Sequence, residues 1–166
     1  MKKICVFLLL AALALSLAAC GSGRELPLKS GDIRKLLTLE KMKEKYGEPD
    51  EINGFQWVFY NVTWGGLEGT LYVTHNPDDD GKDLGEIAVG YIAWGYADKN
   101  ATREMLDESP ELQSVIEKMD SYYGPHAFTD DETTYLDWRD AAGSPSLDIE
   151  LVFEDDGLWM QIFIGD

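Results

Sequence analysis

The chain of 166 residues has little positive charge: 14 Lys and Arg residues stand against 31 Asp and Glu residues, for a formal net charge of -17. Proteins that bind nucleic acid rely on clustered Lys and Arg side chains that displace counterions from the phosphates. The composition therefore argues against a nucleic-acid-binding protein. With 45% hydrophobic residues and five Trp, the chain also has too much apolar material for an intrinsically disordered protein.

Groups that catalyse reactions are also scarce. The chain has two histidines, His75 and His126, and two cysteines, Cys5 and Cys20. It contains no Gly-x-Ser-x-Gly nucleophile motif, no phosphate-binding glycine loop and no His/Cys cluster with the spacing of transition-metal ligands. The sequence therefore predicts a protein that is not an enzyme and that needs no cofactor. An enzyme of unrecognised type stays open as an alternative, and it would require a pocket in which one histidine meets carboxylates.

The first 19 residues have the layout of a secretory signal peptide. Lys2 and Lys3 precede residues 4–19, a run of 16 residues without charge. This run is shorter than the roughly 20 apolar residues that a membrane-spanning helix needs. Its end, Leu17-Ala18-Ala19-Cys20, resembles the lipobox of bacterial lipoproteins, in which the cysteine is acylated and becomes the new N-terminus.

The resemblance implies that residues 1–19 are removed and that Cys20 is the lipid attachment site. It also implies an extracytoplasmic protein that diacylglycerol anchors to the cell membrane or the outer membrane. Residues 20–31 are then expected to form a lipidated tether. Cys5 would leave with the signal, so the remaining chain would have no disulfide. The alternative is an ordinary signal peptide in which the cysteine is incidental.

Two segments share a pattern at an offset of 77 residues. Glu40-Lys41-Met42 is followed by Tyr46-Gly47, and Glu117-Lys118-Met119 is followed by Tyr123-Gly124. Each glycine is followed closely by a proline, which is typical of a helix end. The helices are expected to begin at residues that cap a helix well, Thr38 and Ser109.

The hydrophobic period changes from 3.6 residues to 2 after each predicted helix. Apolar residues alternate along 147–153 and 158–164, on either side of an acidic turn with Gly157, which predicts an antiparallel hairpin. The remaining predicted strands are 134–139, 55–64, 67–74 and 87–94.

The sequence therefore predicts an α+β fold built from two tandem α-β-β-β units. The units span 38–94 and 110–164, within repeats bounded at 32–97 and 98–166. We expect the six strands to form one antiparallel sheet, with both helices packed on one face and the other face partly open. The alternative is that the shared pattern is a coincidence.

Residues 37–50, followed by a strand that bears Trp and Tyr and by a hairpin, resemble the repeat of small bacterial envelope lipoproteins. These belong to the outer-membrane-assembly small lipoprotein and β-lactamase-inhibitory-protein superfamily. The resemblance covers 38–94 closely, and 110–164 through the helix end and the last hairpin. It implies a concave sheet that grips a partner protein. The loop at 75–85 is longer than the family pattern, and no inhibitor-specific loop is present, so inhibition of an enzyme is not implied.

One acidic loop is similar to a calcium-binding loop. Asn76, Asp78 and Asp80 place oxygen atoms at alternate positions before Gly81, as in an EF-hand. Glu86 then falls at the eleventh loop position rather than the twelfth, and no pair of helices is predicted to flank the loop. An acidic turn is the favoured interpretation, and a calcium site is the alternative hypothesis.

Several aromatic residues are predicted to lie on the sheet face that the helices leave open. Strand alternation places Trp159 and Phe163 there, and Tyr72 and Trp94 are expected to join them. An apolar and aromatic second face is typical of a binding surface. The alternative is that residues 24–37 or a loop cover these side chains.

The leading hypothesis is a non-enzymatic lipoprotein of the cell envelope that binds an unidentified envelope protein through this aromatic face. A second hypothesis is a module that binds a small ligand, either a glycan or calcium. The exposed aromatics and the loop at 76–86 motivate the second hypothesis.

Overall fold

The computed structural model describes residues 23–79, 81–129, 134–140 and 142–165. The predicted signal peptide, the predicted lipid attachment site Cys20 and one residue of the calcium-loop hypothesis, Asp80, lie outside the described residues. Within the described residues, no helix is both long enough and apolar enough to cross a membrane.

The described chain forms short helices and a larger number of strands. The α-helices are α1 (Ser30–Ile33), α2 (Leu39–Tyr46), α3 (Met105–Glu108) and α4 (Pro110–Tyr123), and 3-10 helices span Arg34–Leu36 and Pro77–Asp79. The strands are β1 (Glu25–Leu26), β2 (Glu51–Asn53), β3 (Gln56–Trp64), β4 (Leu67–His75), β5 (Val89–Tyr96), β6 (Ala127–Thr129), β7 (Thr134–Asp140), β8 (Leu147–Glu154) and β9 (Gly157–Ile164).

All of these strands belong to one sheet in the order β1-β3-β4-β5-β9-β8-β7-β6, and β2 pairs with β3 beside this path. The prediction of an α+β fold is therefore confirmed. The prediction of a wholly antiparallel sheet of six strands was wrong, because β1 runs parallel to β3 and the short strands β2 and β6 also join the sheet. The predicted tether over 20–31 is also partly structured, since β1 pairs with β3 and Leu26 is fully buried.

The two longer helices begin and end where the sequence predicts. Thr38 Oγ accepts a hydrogen bond at 3.4 Å from the backbone N–H three residues later, at the start of α2. Ser109 Oγ accepts the corresponding bond at 3.2 Å at the start of α4. The helices end at Gly47, with a φ of 83°, and at Gly124, with a φ of 90°. A residue with a side chain is strained at such angles, so glycine is the natural residue at both ends.

The hydrophobic core lies between the two longer helices and one face of the sheet. Met42 of α2 and Val115 of α4 are fully buried in the same cluster as the inward residues of the strands. In this cluster Trp64 packs on Trp94 with ring centroids 5.5 Å apart. Trp94 Nε1 donates a hydrogen bond at 2.9 Å to the carbonyl of Val62. One face of the sheet is thus covered by α2 and α4.

Candidate functional site

Strand pairing defines the face of the sheet that points away from this core, which we call the outer face. Residues directly opposite each other on antiparallel strands share a face, and every second residue along a strand returns to it. The central row of the outer face consists of Val58, Tyr72, Ala93, Gln161, Glu150 and Asp137. The two flanking rows are Thr70, Gly95, Trp159 and Val152 on one side and Thr74, Tyr91, Phe163, Asp148 and Arg139 on the other.

Four aromatic side chains lie together on the outer face, and we call them the aromatic patch: Tyr72, Tyr91, Trp159 and Phe163. The ring centroids of Tyr72 and Trp159 are 5.6 Å apart, and those of Tyr91 and Phe163 are 5.2 Å apart. Phe163 is 41% exposed. Burial, with a smaller contribution from nearby carboxylates, raises the pKa of both tyrosines, so their hydroxyls stay protonated at neutral pH.

The Trp159 ring lies close to β5 because its neighbour there has no side chain. Gly95 is directly opposite Trp159, and a Cβ atom added to Gly95 would lie 2.9 Å from the indole ring. Carbon atoms in contact normally stay about 3.5–4.0 Å apart. Glycine at this position therefore makes room for the indole.

Two charged groups contact the Trp159 ring, one at its edge and one over its face. Trp159 Nε1 donates a hydrogen bond at 2.7 Å to Asp156 Oδ1. Lys99 Nζ lies 4.7 Å from the centroid of the same ring. An ammonium group at this distance is attracted by the negative face of the indole. The patch thus already engages one cation from its own chain.

Carboxylates border the aromatic patch on β7 and β8. Glu150 is directly opposite Asp137, and Asp148 is directly opposite both Phe163 and Arg139. Arg139 donates a hydrogen bond at 2.6 Å to Asp148 Oδ2. Within the described part of the chain, the Oδ1 atoms of Asp137 and Asp148 are buried and have no hydrogen-bond partner.

The pKa values of these carboxyl groups reflect that crowding. Burial, followed by the neighbouring Asp148 carboxyl group, raises the pKa of Asp137 to about 6. Burial and then the charge of Asp148 also raise the pKa of Glu150. Like charges directly across a strand pair are destabilising. This part of the outer face therefore has an excess of negative charge that its own cations do not balance.

Three of the four predicted aromatic residues lie on the outer face: Tyr72, Trp159 and Phe163. Trp94 does not. The prediction that it joins this face was wrong, because Trp94 is fully buried and packs on Trp64 in the core. On β5 the outward residues are Tyr91, Ala93 and Gly95.

Tyr91 belongs to the aromatic patch and the sequence analysis missed it. Every second residue from Ile92 onward along β5 is large, whereas the intervening Ala93 and Gly95 are small. Large residues at alternate positions mark the side that faces a core, which is a signal that would have placed Trp94 inward and Tyr91 outward.

The N-terminal segment, residues 24–37, does not cover the aromatic patch with its apolar side chains. Leu26, Ile33 and Leu36 are buried in the core cluster together with residues of the helices. The alternative that these residues shield the patch is therefore wrong for the apolar part of the segment.

The proposed calcium loop forms a local turn in its described residues. Asn76 Oδ1 accepts a hydrogen bond at 3.0 Å from the Asp78 backbone N–H, and Asp79 forms an ion pair with Lys82. Within the described residues, no group of three or more His, Cys, Asp or Glu side chains is arranged to hold a metal ion.

The two histidines lie far apart in the sheet. His75 ends β4 and is buried, whereas His126 precedes β6, and four strands separate β4 from β6. His126 Nδ1 lies 2.9 Å from Asp120 Oδ1, and Trp138 Nε1 donates to the same oxygen at 2.8 Å. Burial raises the pKa of Asp120, but the hydrogen bonds from Trp138 and His126 outweigh it, so the net pKa is lowered. This contact ties the end of α4 to β7.

Comparison with known proteins finds no matching family model, no matching curated protein and no matching solved structure.

Proposed function

We propose that this chain is a non-enzymatic lipoprotein of the bacterial cell envelope that binds a partner protein on the outer face of its sheet. The observation that carries the proposal is the aromatic patch on a face that α2 and α4 leave uncovered. The few residues that contribute most of the binding energy of a protein interface are enriched in Trp, Tyr and Arg. Aromatic side chains also lose little conformational entropy on binding, since they have two side-chain torsions.

The position of the patch within the sheet also favours binding. Tyr91 and Trp159 lie on β5 and β9, which have several strands on either side. A site on interior strands is held more rigidly than a site on a loop. The partner would therefore meet preformed rings rather than order them on contact.

The strand order supports duplication of one α-β-β-β unit. The sheet runs β3-β4-β5 and then β9-β8-β7, so the last strands of the two units meet at its centre. The short strands β2 and β6 follow α2 and α4 and pair with β3 and β7 respectively. This mirrored order is the arrangement that two copies related by a two-fold axis would adopt. It agrees with the resemblance of residues 38–94 and 110–164 to small envelope lipoproteins, without implying inhibition of any enzyme.

The membrane anchor in the proposal is an acylated Cys20. Residues 21–24 separate it from β1, which starts at Glu25. A chain spans at most about 3.6 Å per residue, so these few residues reach roughly 15 Å. The folded part would therefore stay close to the bilayer. Replacement of Cys20 by Ser is expected to abolish incorporation of labelled fatty acid and to release the protein from the membrane fraction.

Site-specific photo-crosslinking in intact cells tests the binding face. A photoreactive phenylalanine analogue is placed at Phe163 and, as a matched control, at Tyr122, which is 44% exposed on α4. We expect a discrete adduct of higher mass from position 163 and none of that mass from position 122. No adduct at 163, or the same adducts at both positions, would contradict the proposed function.

A further inference from the structure

We infer that the partner presents a cationic segment, with Lys or Arg side chains that lie across the aromatic patch and onto the carboxylates of β8. This inference rests on the proposed function of the outer face, since it names the chemistry of the partner that this face would bind. Three observations carry it: charge complementarity, the cation that already lies over the patch, and the crowded carboxyl groups of Asp137, Asp148 and Glu150.

The outer face is acidic around the aromatic patch. Strand pairing and alternation place the carboxylates of Glu68, Asp137, Asp148, Glu150 and Glu154 on this face. Two cationic side chains lie near these carboxylates. Arg139 is already paired with Asp148, and Lys99 lies over Trp159. Complementary potentials steer partners together and reject partners of the same sign. An anionic lipid surface or an acidic peptide would be repelled here.

Lys99 shows how the patch receives a cation. Its ammonium group lies 4.7 Å from the centroid of the Trp159 ring, and Asp156 accepts a hydrogen bond from the same indole. Within the described residues, no comparable cation lies over Tyr91 or Phe163. These two rings are therefore available for Lys or Arg side chains of another molecule.

The carboxylates next to Phe163 are placed to complete such a contact. Asp148 is directly opposite Phe163, and Glu150 is directly opposite Gln161 on the same strand pair. A guanidinium group that stacks on Phe163 would thus reach a carboxylate on the adjoining strand. Arg is suited to this because its planar group stacks on rings and donates several hydrogen bonds to carboxylates.

The Oδ1 atoms of Asp137 and Asp148 mark a crowded and negatively charged part of the outer face. Each is buried and lacks a hydrogen-bond partner within the described part of the chain. Because these two atoms are buried, a partner would not contact them directly, but a cation beside the two carboxyl groups would offset the repulsion between them. The raised pKa of Asp137, caused by burial and by Asp148, reports the same unbalanced charge.

Titration of the full chain with simple peptides tests the inference. The probes are a short peptide of alternating Arg and Gly, its Lys counterpart and its Glu counterpart, observed through the indole N–H resonance of Trp159 and the amides of β8 and β9. We expect saturable shifts with the Arg and Lys peptides and none with the Glu peptide. Affinity should fall about tenfold when salt rises from about 50 mM to about 500 mM, because charges on a surface are screened.

Substitutions on the outer face and on α4 distinguish binding at the outer face from a general effect of the protein's net charge. Asp148→Asn and Glu150→Gln are each expected to weaken binding of the Arg peptide by about three- to tenfold. Glu117→Gln removes one exposed carboxylate from α4 instead and is expected to leave the affinity unchanged. Two variants are used so that one remains informative if the other fails to fold, which the amide spectrum reports.

Crosslinking at position 163 tests the binding face, whereas the peptide titrations test the cationic segment, so the two claims can fail independently. If position 163 crosslinks a partner but the Arg and Lys peptides do not shift Trp159, the cationic segment is refuted while the binding face stands. Equal binding of the Glu peptide, or an equal loss in Glu117→Gln, also overturns the inference. If position 163 gives no adduct, the proposed function itself fails.

Discussion

Gly95 is the residue on which the geometry of the aromatic patch most directly depends. Its lack of a side chain lets the Trp159 indole lie against β5, where an added Cβ would be 2.9 Å from the ring. Gly90 lies on the same strand but has open space, with its nearest atom 3.8 Å from an added Cβ. The two glycines therefore form a matched pair for substitution.

Gly95→Ala is expected to displace Trp159 and to lower the free energy of unfolding by about 1–3 kcal/mol, the usual cost of overpacking. Gly90→Ala is expected to change it by less than about 0.5 kcal/mol. Urea unfolding measures both, and the indole N–H resonance of Trp159 reports whether the ring moves. Equal effects of the two substitutions would show that contact with Trp159 is unimportant.

Asp137 gives the outer face a dependence on pH. Burial and then Asp148 raise its pKa in the folded state to about 6, above the value of about 3.9 in an unfolded chain. The Asp137 carboxyl group therefore binds a proton more tightly in the folded state than in the unfolded chain. The stability that Asp137 contributes is full below about pH 4 and is lost as the pH rises through about 6.

Asp137→Asn, which stays neutral, is therefore expected to raise the free energy of unfolding at pH 7 by about 1 kcal/mol, after allowance for solvent screening. The difference from the natural chain should vanish near pH 4. Urea unfolding across this range measures it. Glu117→Gln on α4 serves as the control and should show no such trend, and a stabilisation of Asp137→Asn that did not depend on pH would contradict the explanation.

At the scale of single elements, the helices were the most predictable part of the fold. Thr38 and Ser109 are good N-cap residues, and the glycines that follow the helices have the positive φ that glycine tolerates best. These signals are local, so the sequence alone carries them. The long strands β8 and β9 were predictable for the same reason, since apolar residues alternate clearly along them.

Elements set by distant contacts could not be predicted. β1 has two residues and β2 and β6 have three each, too few to show a period. They exist because β3 and β7 offer free backbone groups beside them. β5 itself was predicted, but its residues were assigned to the wrong faces of the sheet. The strand carries aromatic residues on both faces, and Trp94 was assigned to the outer face. Three residues of the aromatic patch were nevertheless predicted, because β9 and β4 alternate more simply.

The cap of α4 provides a test at this scale. Ser109→Ala removes the acceptor for the N–H of Leu112 and is expected to destabilise the protein by about 1 kcal/mol. Ser121→Ala, in the last turn of the same helix, removes an exposed hydroxyl that donates to Lys118 and should be neutral or slightly stabilising. Thermal unfolding compares the two. An equal loss in both would assign the effect to the helix in general and not to its cap.

Across the whole molecule, charge is distributed unevenly. Residues 24–45 carry 7 Lys and Arg against 4 Asp and Glu, a net charge of +3, whereas residues 46–166 carry 5 against 27, a net charge of -22. Lys2 and Lys3 complete the total of -17. The negative field of the larger part would speed the encounter with a cationic partner, and salt would weaken it.

Short strands form both edges of the sheet: β1 and β2 lie beside β3, and β6 lies beside β7. Leu26→Asp is expected to release β1, because this fully buried residue would carry a charge into the core. The variant should form oligomers that light scattering detects, since the part of the β3 edge that β1 covers would be exposed. Leu151→Ala, a fully buried residue of the interior strand β8, is expected to lose comparable stability without associating. Association of both variants would mean that unfolding and not the edge is responsible.

The short edge strands limit association between neighbouring molecules of the protein. A long, flat edge strand is a template on which the strands of another molecule can pair, and short edge strands remove most of that template. Proteins held on one bilayer by lipid share a thin layer, where neighbours collide far more often than in bulk solution. An edge strand of two or three residues exposes few backbone groups with which a colliding molecule could pair. If Cys20 anchors the protein as proposed, the sheet can therefore keep its aromatic face exposed at high surface density while its molecules stay separate.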